Sequence, residues 1–210
     1  MDVLKAIVER RSINFFEPGR EVPDEKLREL LEAANLAPSS FNLQPWKVVV
    51  VRDPERKKAL RGCALDQAKV EEASAVLIMV ADPRALEENR ERVLESWAGL
   101  GYLKPEMKET YSGLMDKLYG PPEGARRTVF AVKNTSLFAM SLMLAAKGMG
   151  LETHAMDGFD EDCVKKEFGI PADKTIPMLV AVGYLKPGTT LLPRAFRRKV
   201  EEFARFERYE

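Results

Sequence analysis

Residues 37–46 read APSSFNLQPW and join two segments of different pattern. An amphipathic helical pattern precedes them, and the four valines of residues 48–51, typical of a strand, follow. A helix-to-strand connection needs only a few residues, and this one is longer. Its hydroxyl and amide groups donate and accept hydrogen bonds without charge, and its two prolines restrict the backbone. Such a loop suits a flat heterocycle with alternating N–H and C=O groups. An ordinary loop with a serine helix cap and a buried tryptophan explains the same residues.

The composition predicts a single domain spanning residues 1–210. A chain of 210 residues with 45% hydrophobic content can bury a substantial core. Lysine and arginine together number 33 and are matched by 33 aspartates and glutamates, so the formal net charge is zero. Binding to a phosphate backbone usually requires a basic excess, and nucleic acid is therefore not expected as a partner.

The few cysteines and the single histidine exclude several classes of site. Cys63 and Cys163 lie far apart in the sequence, so neither a disulfide framework nor metal-ligand spacing is predicted. His154 leaves little for a metal site or for Ser-His-Asp catalysis. The N-terminus lacks the basic start and apolar core of a signal peptide, and no uninterrupted apolar run is long enough to cross a bilayer. We therefore expect a cytoplasmic protein without a metal or a membrane partner.

Hydrophobic periodicity predicts alternating helices and strands. Predicted helices cover 2–9, 23–37, 54–61, 123–147 and 160–168, and predicted strands cover 46–51, 75–81, 151–156 and 178–184. Residues 84–121 are predicted to be a charged, aromatic helical insertion, either a lid or a partner-facing arm, and residues 185–210 a C-terminal arm. Residues 137–146 are apolar on nearly every side, which predicts a core helix, a subunit interface or both.

Several polar features allow a structural and a functional interpretation. Residues 10–12 (Arg-Arg-Ser) follow a short helix, where the dipole favours cations, but two guanidiniums and a hydroxyl in succession also suit one phosphate. Lys69 fits an exposed helix position, and residues 157–158 (Asp-Gly) fit a plain turn. The basic cluster within residues 194–199 fits a solvated face. Each motif taken alone leaves both interpretations open.

In their order along the chain, these pieces resemble the nitroreductase family of FMN-dependent oxidoreductases, and the resemblance covers nearly the whole chain. The residues that carry it are Arg10-Arg11-Ser12, Pro38-Ser39-Ser40-Phe41-Asn42-Leu43-Gln44-Pro45-Trp46, Gln67-Ala68-Lys69, Ala145-Ala146-Lys147-Gly148-Met149-Gly150, Met156-Asp157-Gly158-Phe159 and Arg194. The resemblance implies an α+β, three-layer fold in which helices flank a central, mostly antiparallel sheet. It also implies an intertwined homodimer with two FMN sites at the subunit interface.

The resemblance further implies roles for individual residues. Arg10, Ser12 and Arg194 would bind the flavin phosphate, and the cofactor-binding set would also include Arg11, Asn14 and Arg197. A loop of the other subunit would line the ring and the ribityl chain: Pro38, Ser39, Ser40 and Asn42. Gln67 and Lys69 would meet the pyrimidine edge, where Lys69 would stabilise the charge of the reduced flavin. Met156, Asp157 and Gly158 would complete the site, the last two with backbone N–H groups near the flavin N5.

Three departures from the family pattern bear on the site. Asn14 stands where many relatives carry a basic residue, which implies a weaker phosphate grip. Asp157 stands where some relatives have glutamate, and the backbone role is unaffected. A lysine often found shortly before the late arginine is absent, and Arg197 or Arg198 would substitute for it.

The function implied by the resemblance is reduction of nitroaromatics, quinones or similar electron-poor acceptors, with NADH or NADPH as the electron donor and ping-pong hydride transfer. Aromatic candidates for substrate contact are Phe41, Tyr102, Tyr111 and Tyr119. Two alternatives stay open: related flavin chemistry, namely reductive dehalogenation, enone reduction or flavin degradation, and a flavin-binding dimer without catalysis.

Overall fold

The computed structural model describes residues 2–209. Its helices are α1 (Val3–Glu9), α2 (Asp24–Ala34), α3 (Pro54–Cys63), α4 (Lys69–Glu72), α5 (Ala85–Gly99), α6 (Lys108–Tyr119), α7 (Ala125–Gly148), α8 (Glu161–Phe168) and α9 (Val200–Phe203). Its strands are β1 (Trp46–Val51), β2 (Ala75–Ala81), β3 (Glu152–Met156) and β4 (Thr175–Gly183). The four strands form one sheet in the order β1-β2-β4-β3. Every pair is antiparallel, which confirms the predicted α+β class.

The sheet lies between two layers of helices, as expected for a three-layer fold. Successive β2 side chains point to opposite faces, so Ile78 packs in the cluster with α3 and α8, whereas Leu77 packs in the cluster with α2 and α7. All seven residues of β2 are buried, because a strand lies on each side and helices cover both faces. β1, predicted to be a buried strand, is instead an edge strand whose Val50 is 37% exposed.

Helix α7 is the spine of one helical layer, but only one of its faces is buried. Phe138, Ala139 and Leu142 pack against the sheet, whereas Leu137 is 42% exposed and Val129 is 64% exposed. Within one chain α7 is therefore the predicted core helix on one face, and a subunit interface on its exposed apolar face stays a prediction. By length and composition alone α7 is long and apolar enough to cross a membrane, and half of the relevant window is buried inside this chain. Core helices of soluble proteins share these properties.

Residues 84–121 are helical, as predicted, and build a small core of their own. Helices α5 and α6 are joined through a short turn at Pro105–Met107. Leu94 and Met115 from these helices pack with Phe130 of α7 in a third hydrophobic cluster. The insertion is therefore anchored to the first half of α7.

A disulfide joins Cys63 to Cys163, contrary to the prediction from sequence. The two Cα atoms lie 5.6 Å apart, although the cysteines are separated by 100 residues. Their distance in sequence concealed the pairing, because only the packing of α3 beside α8 brings them together. The bond links the last residue of α3 to the first turns of α8.

A buried carboxylate between two lysines fixes the end of the sheet. Asp82 follows β2 and is fully buried. Lys174 Nζ lies 2.7 Å from Asp82 Oδ1, and Lys47 Nζ lies 2.7 Å from Oδ2. Burial raises the pKa of Asp82, but hydrogen bonds from Lys174 and Lys47 more than offset that effect, so its pKa is below the ordinary value. The carboxylate therefore stays charged in the core at neutral pH.

Candidate functional site

The segment after α1 runs along the free edge of β3. Ser12 forms a parallel bridge with Thr153, and the Ile13 amide donates to the Thr153 carbonyl at 3.2 Å. Ile13 is buried in the core, while Ser12 and Asn14 on either side of it are exposed. This alternation presents the polar side chains of the segment at one edge of the molecule.

The tail brings Arg194 to the end of α1. Its guanidinium donates to the carbonyls of Val8 and Arg10, the latter at 3.0 Å, and Arg11 donates to the Pro193 carbonyl at 3.4 Å. Burial lowers the pKa of Arg10, and the neighbouring charges of Arg194, Arg197 and Arg11 lower it further. Within residues 2–209, the Nε atom of Arg10 is buried without a hydrogen-bond partner. Such a crowded group of cations is stabilised by an anion.

Lys69, the first residue of α4, contacts the other end of the segment that follows α1, and it is partly buried rather than fully exposed. Its Nζ donates to Asn14 Oδ1 at 2.8 Å and lies 3.3 Å from His154 Nε2. Burial lowers the pKa of Lys69 below its ordinary value. The ammonium is thus held at a fixed place on the β3 edge.

Gln67 ties the loop before α4 to the Asp157-Gly158 turn. Its Nε2 donates to the carbonyls of Ala64 at 3.0 Å and Gly158 at 2.8 Å, so both amide hydrogens are used within the chain. A Cβ at Gly158 would lie 3.2 Å from Leu65 Cδ1, and this close approach favours glycine. Leu65 itself has φ 51°, a strained conformation for a branched side chain and one found often at functional sites.

The turn that Gln67 contacts departs from the predicted site in one respect. The Met156 side chain is buried in the core at 3% exposure, so this residue can contact a ligand only through its backbone. Asp157, directly after it, is exposed. The Cys63–Cys163 disulfide lies behind this turn, because the Asp160 amide donates to the Cys63 carbonyl at 2.8 Å.

We call this continuous surface the β3 strip. It comprises Arg10, Arg11, Ser12, Asn14, Gln67, Lys69, Asp157, Gly158 and Arg194. It unites most of the residues that the sequence predicts for a cofactor site. Its charged side chains are predominantly cationic.

The second predicted group is the proline loop, residues 38–44. The Ser40 amide donates to Asn134 Oδ1 at 3.0 Å, and the Gln44 amide donates to Ser39 Oγ at 3.0 Å. Phe41 and Asn42 both have positive φ, at 53° and 55°. Hydrogen bonds to the Asn134 and Ser39 side chains therefore hold this strained backbone.

Three of the four predicted aromatic residues gather beside the proline loop. The Phe41 ring lies 6.2 Å from Trp97 and 6.1 Å from Tyr119, and Trp97 lies 6.2 Å from Tyr111. These rings pack in the core of the insertion and anchor the loop to it. Tyr102 is 79% exposed on the turn after α5 and stands apart from them.

The β3 strip and the proline loop lie at opposite edges of the sheet. The loop leads into β1, the strip follows β3, and β2 and β4 separate these two strands. Three strand spacings amount to roughly 14 Å. One chain therefore presents two halves of the predicted site on different sides.

Sequence reasoning missed two polar residues of these groups. His154 projects from β3 onto Lys69, and Asn134 projects from the core of α7 onto the proline loop. Asn134 is 1% exposed and also donates to the Phe130 carbonyl at 2.7 Å. The signal for Asn134 was an amide directly before the apolar half of the helix, where a buried amide requires hydrogen-bond partners. The signal for His154 was its position two residues before Met156 on a predicted strand.

Comparison with known proteins gives consistent results. The family model described as "Nitroreductase family" matches residues 7–184. The protein named "Putative NAD(P)H nitroreductase YodC" from Bacillus subtilis (strain 168) is 38% identical over 184 residues, which cover 87% of this chain and 88% of that relative. "NADH dehydrogenase" from Thermus thermophilus is 36% identical over 184 residues, covering 88% of this chain and 87% of that relative. A solved structure from Exiguobacterium sibiricum 255-15, described as a "putative nitroreductase in complex with FMN", superposes with a TM-score of 0.86 at 25% identity and covers 99% of this chain and 98% of that one.

Proposed function

This chain belongs to the nitroreductase family, and from that premise we propose that it is an FMN-dependent oxidoreductase. It takes electrons from NADH or NADPH and reduces nitroaromatics, quinones or similar electron-poor compounds. The observation that carries the proposal is the β3 strip, in which residues 10–14 bring arginines together at one end and bind Lys69 at the other. A ligand with a phosphate at one end and an electron-accepting ring at the other matches this arrangement.

The arginines of the strip fit the phosphate of FMN. Arg10 has a buried Nε with no partner within residues 2–209, and Arg194, Arg197 and Arg11 crowd its charge. A phosphate dianion supplies the missing acceptor and offsets the repulsion among the cations, since guanidiniums bind phosphate through paired, charge-assisted hydrogen bonds. The Asn14 side chain accepts from Lys69 instead, so binding of the phosphate would rely on the arginines.

The other end of the strip fits the pyrimidine edge of the flavin. FMN, when bound, accepts two electrons from NAD(P)H and passes them to the acceptor. Lys69 would stabilise negative charge on that edge, which favours electron acceptance. Gln67 uses its amide hydrogens within the chain, so its Oε1 would be the atom that meets a ring N–H. The Asp157-Gly158 turn would orient the ring through backbone N–H groups.

We propose that a second copy of the chain completes each site. The proline loop and the β3 strip lie on different sides of one chain, so the loop of one copy would cover the ring held by the other. Apolar side chains exposed on α1, on α7 and in the tail offer a surface for this association: Val3, Leu4, Val8, Val129, Leu192, Phe196 and Phe206. A groove of about 640 Å³ beside the open edge of β1 offers a place for a partner's tail.

Hybrid dimers test the shared site. We expect an R10A/R194A variant and an S40Y variant each to retain little FMN as homodimers, because one lacks the phosphate clamp and the other has a blocked loop. In a hybrid of the two, one site combines both changes and the other combines the two intact halves. Purified hybrids therefore should recover FMN at half the wild-type occupancy. Hybrid dimers that retain as little FMN as the two variant homodimers would show that each chain builds its own site.

Steady-state kinetics test the reaction. With FMN-loaded protein, we expect NADH or NADPH oxidation that depends on an added quinone or nitroaromatic, with parallel lines in double-reciprocal plots. Lys69→Met should lower turnover while FMN stays bound, and Lys58→Met, at an exposed position of α3, serves as the matched control. FMN-loaded protein that consumes neither donor with any acceptor would leave a flavin-binding dimer as the function.

A further inference from the structure

The ammonium of Lys69 has two acceptors inside the chain. Asn14 Oδ1 lies 2.8 Å from Nζ and His154 Nε2 lies 3.3 Å from it. A lysine ammonium carries three N–H donors. With two of them taken by the protein, one donor remains for a ligand on the β3 strip.

The partners of His154 define which of its nitrogens carries the proton. Nδ1 lies 2.6 Å from the Ile13 carbonyl oxygen, which can only accept, so Nδ1 bears the hydrogen. Nε2 faces an ammonium, which can only donate, so Nε2 presents its lone pair. The ring is therefore neutral, and both of its nitrogens are engaged.

The surroundings of the ring agree with a neutral imidazole. Burial lowers the pKa of His154, the bond to Ile13 partly offsets this effect, and the charge of Lys69 lowers the pKa again. The nearest acidic neighbour along β3, Glu152, is paired with Lys147 at 2.5 Å. Asn14, the remaining polar side chain at Lys69, carries no charge.

We propose that His154 is a positioning residue for Lys69: as a neutral acceptor it works with Asn14 to direct the third N–H of the ammonium at an anionic atom of the bound ligand. This inference rests on the proposed function, under which that atom belongs to the pyrimidine edge of FMN. A fixed donor stabilises the reduced, negatively charged ring more than the oxidised ring, so His154 raises the reduction potential of the bound flavin.

A histidine that merely fastens β3 to the neighbouring segment needs only the bond from Nδ1 to Ile13. The contact at Nε2 distinguishes the positioning role from that structural one. Replacement by glutamine retains an acceptor near the Nε2 position, whereas replacement by leucine removes it. The two variants therefore separate acceptor loss from general damage to the strand.

The first experiment reads the tautomer directly. Because the chain has a single histidine, long-range ¹H–¹⁵N spectra of untagged protein show one imidazole, with no assignment problem. At neutral pH, with or without FMN, we expect a neutral ring protonated at Nδ1. A ring protonated at Nε2, or at both nitrogens, would overturn the proposal. This result does not depend on FMN binding, so it stands even if the proposed function fails.

The second experiment measures FMN affinity in both redox states. For His154→Leu, we expect the Kd of reduced FMN to rise about tenfold more than that of oxidised FMN, equivalent to a midpoint potential about 30 mV lower. His154→Gln should stay near the wild-type potential. Equal potentials in all three proteins would overturn the positioning role. A wild-type protein that binds no FMN would instead refute the proposed function, and the tautomer would still decide the contact with Lys69.

Discussion

The Cys63–Cys163 disulfide offers the sharpest test of the fold. Breaking it frees a loop of 100 residues in the unfolded chain. The chain-entropy relation for a loop of that length gives about 4.7 kcal/mol of lost stability. For a chain of 150–250 residues, each kcal/mol shifts Tm by roughly 2–4 °C, so the reduced protein should melt about 10–20 °C lower.

The assay compares thermal unfolding of oxidised and reduced protein by circular dichroism at one protein concentration. A Cys63→Ala/Cys163→Ala variant is the matched control, because a reductant has no bond to break in it. Hydrogen exchange adds a local readout. Amides near Asp160 should exchange faster after reduction, since the Asp160 amide donates to the Cys63 carbonyl beside the bond.

Two outcomes would refute this reasoning. One is the detection of two free thiols after the folded protein has been treated with an oxidant, because α3 and α8 would then hold the cysteines too far apart to pair. The other is an unchanged Tm after complete reduction. Faster exchange confined to the turn after β3, without a change in Tm, would contradict the loop-entropy magnitude but keep the local geometry.

We predict three further results from contacts elsewhere in the structure. Arg10→Ala should weaken FMN binding by about 1.5–3 kcal/mol, the range for a lost charged hydrogen bond, while the control Lys58→Ala, at an exposed position of α3, leaves it unchanged. Equal Kd values for wild type and Arg10→Ala in a fluorescence titration would remove Arg10 from the site. Because burial lowers the pKa of Lys69, the residue loses its charge at a lower pH than an ordinary lysine, and the alkaline fall in turnover should come correspondingly earlier. A pH profile that Lys69→Met leaves unaltered would contradict this. Asp82→Asn should cost about 3–5 kcal/mol at neutral pH, because it removes the buried carboxylate and leaves Lys174 with the longer contact to Asp173 at 3.3 Å. The lowered pKa of Asp82 means that this contribution is lost as pH falls below about 4, so denaturant midpoints of variant and wild type should converge in acid.

Much of the fold is predictable because local pattern and tertiary packing agree. The apolar run of β2 became a strand buried on both faces, and the helix of residues 123–147 shifted by only a few residues to become α7. The predicted end of α2 was three residues too late, because the amides of Leu36 and Ala37 bond to carbonyls three residues back, in a tighter turn than the α-helix. The Asn35 side chain in this turn accepts from the Trp46 indole at 2.9 Å, a contact without a local signal in the sequence.

Features that depend on contacts between distant parts of the chain could not be predicted from the sequence. Apolar residues also lie on the exposed face of α7. In the sequence, an apolar helix face that a partner subunit buries has the same pattern as one that packs in the core of its own chain. From the sequence, Asn14 was interpreted as the loss of a basic phosphate ligand. In the structure its side chain accepts a hydrogen bond from Lys69. His154 carried no motif, because its role is defined by the Ile13 carbonyl across the β3 edge.

The most direct measurement is the absorption spectrum of FMN-reconstituted protein mixed anaerobically with NADH or NADPH in a stopped-flow instrument. We expect a yellow protein that bleaches within the time of one turnover and regains its colour when a quinone is added. A protein that holds no flavin after reconstitution, or that stays yellow with both donors, would contradict it.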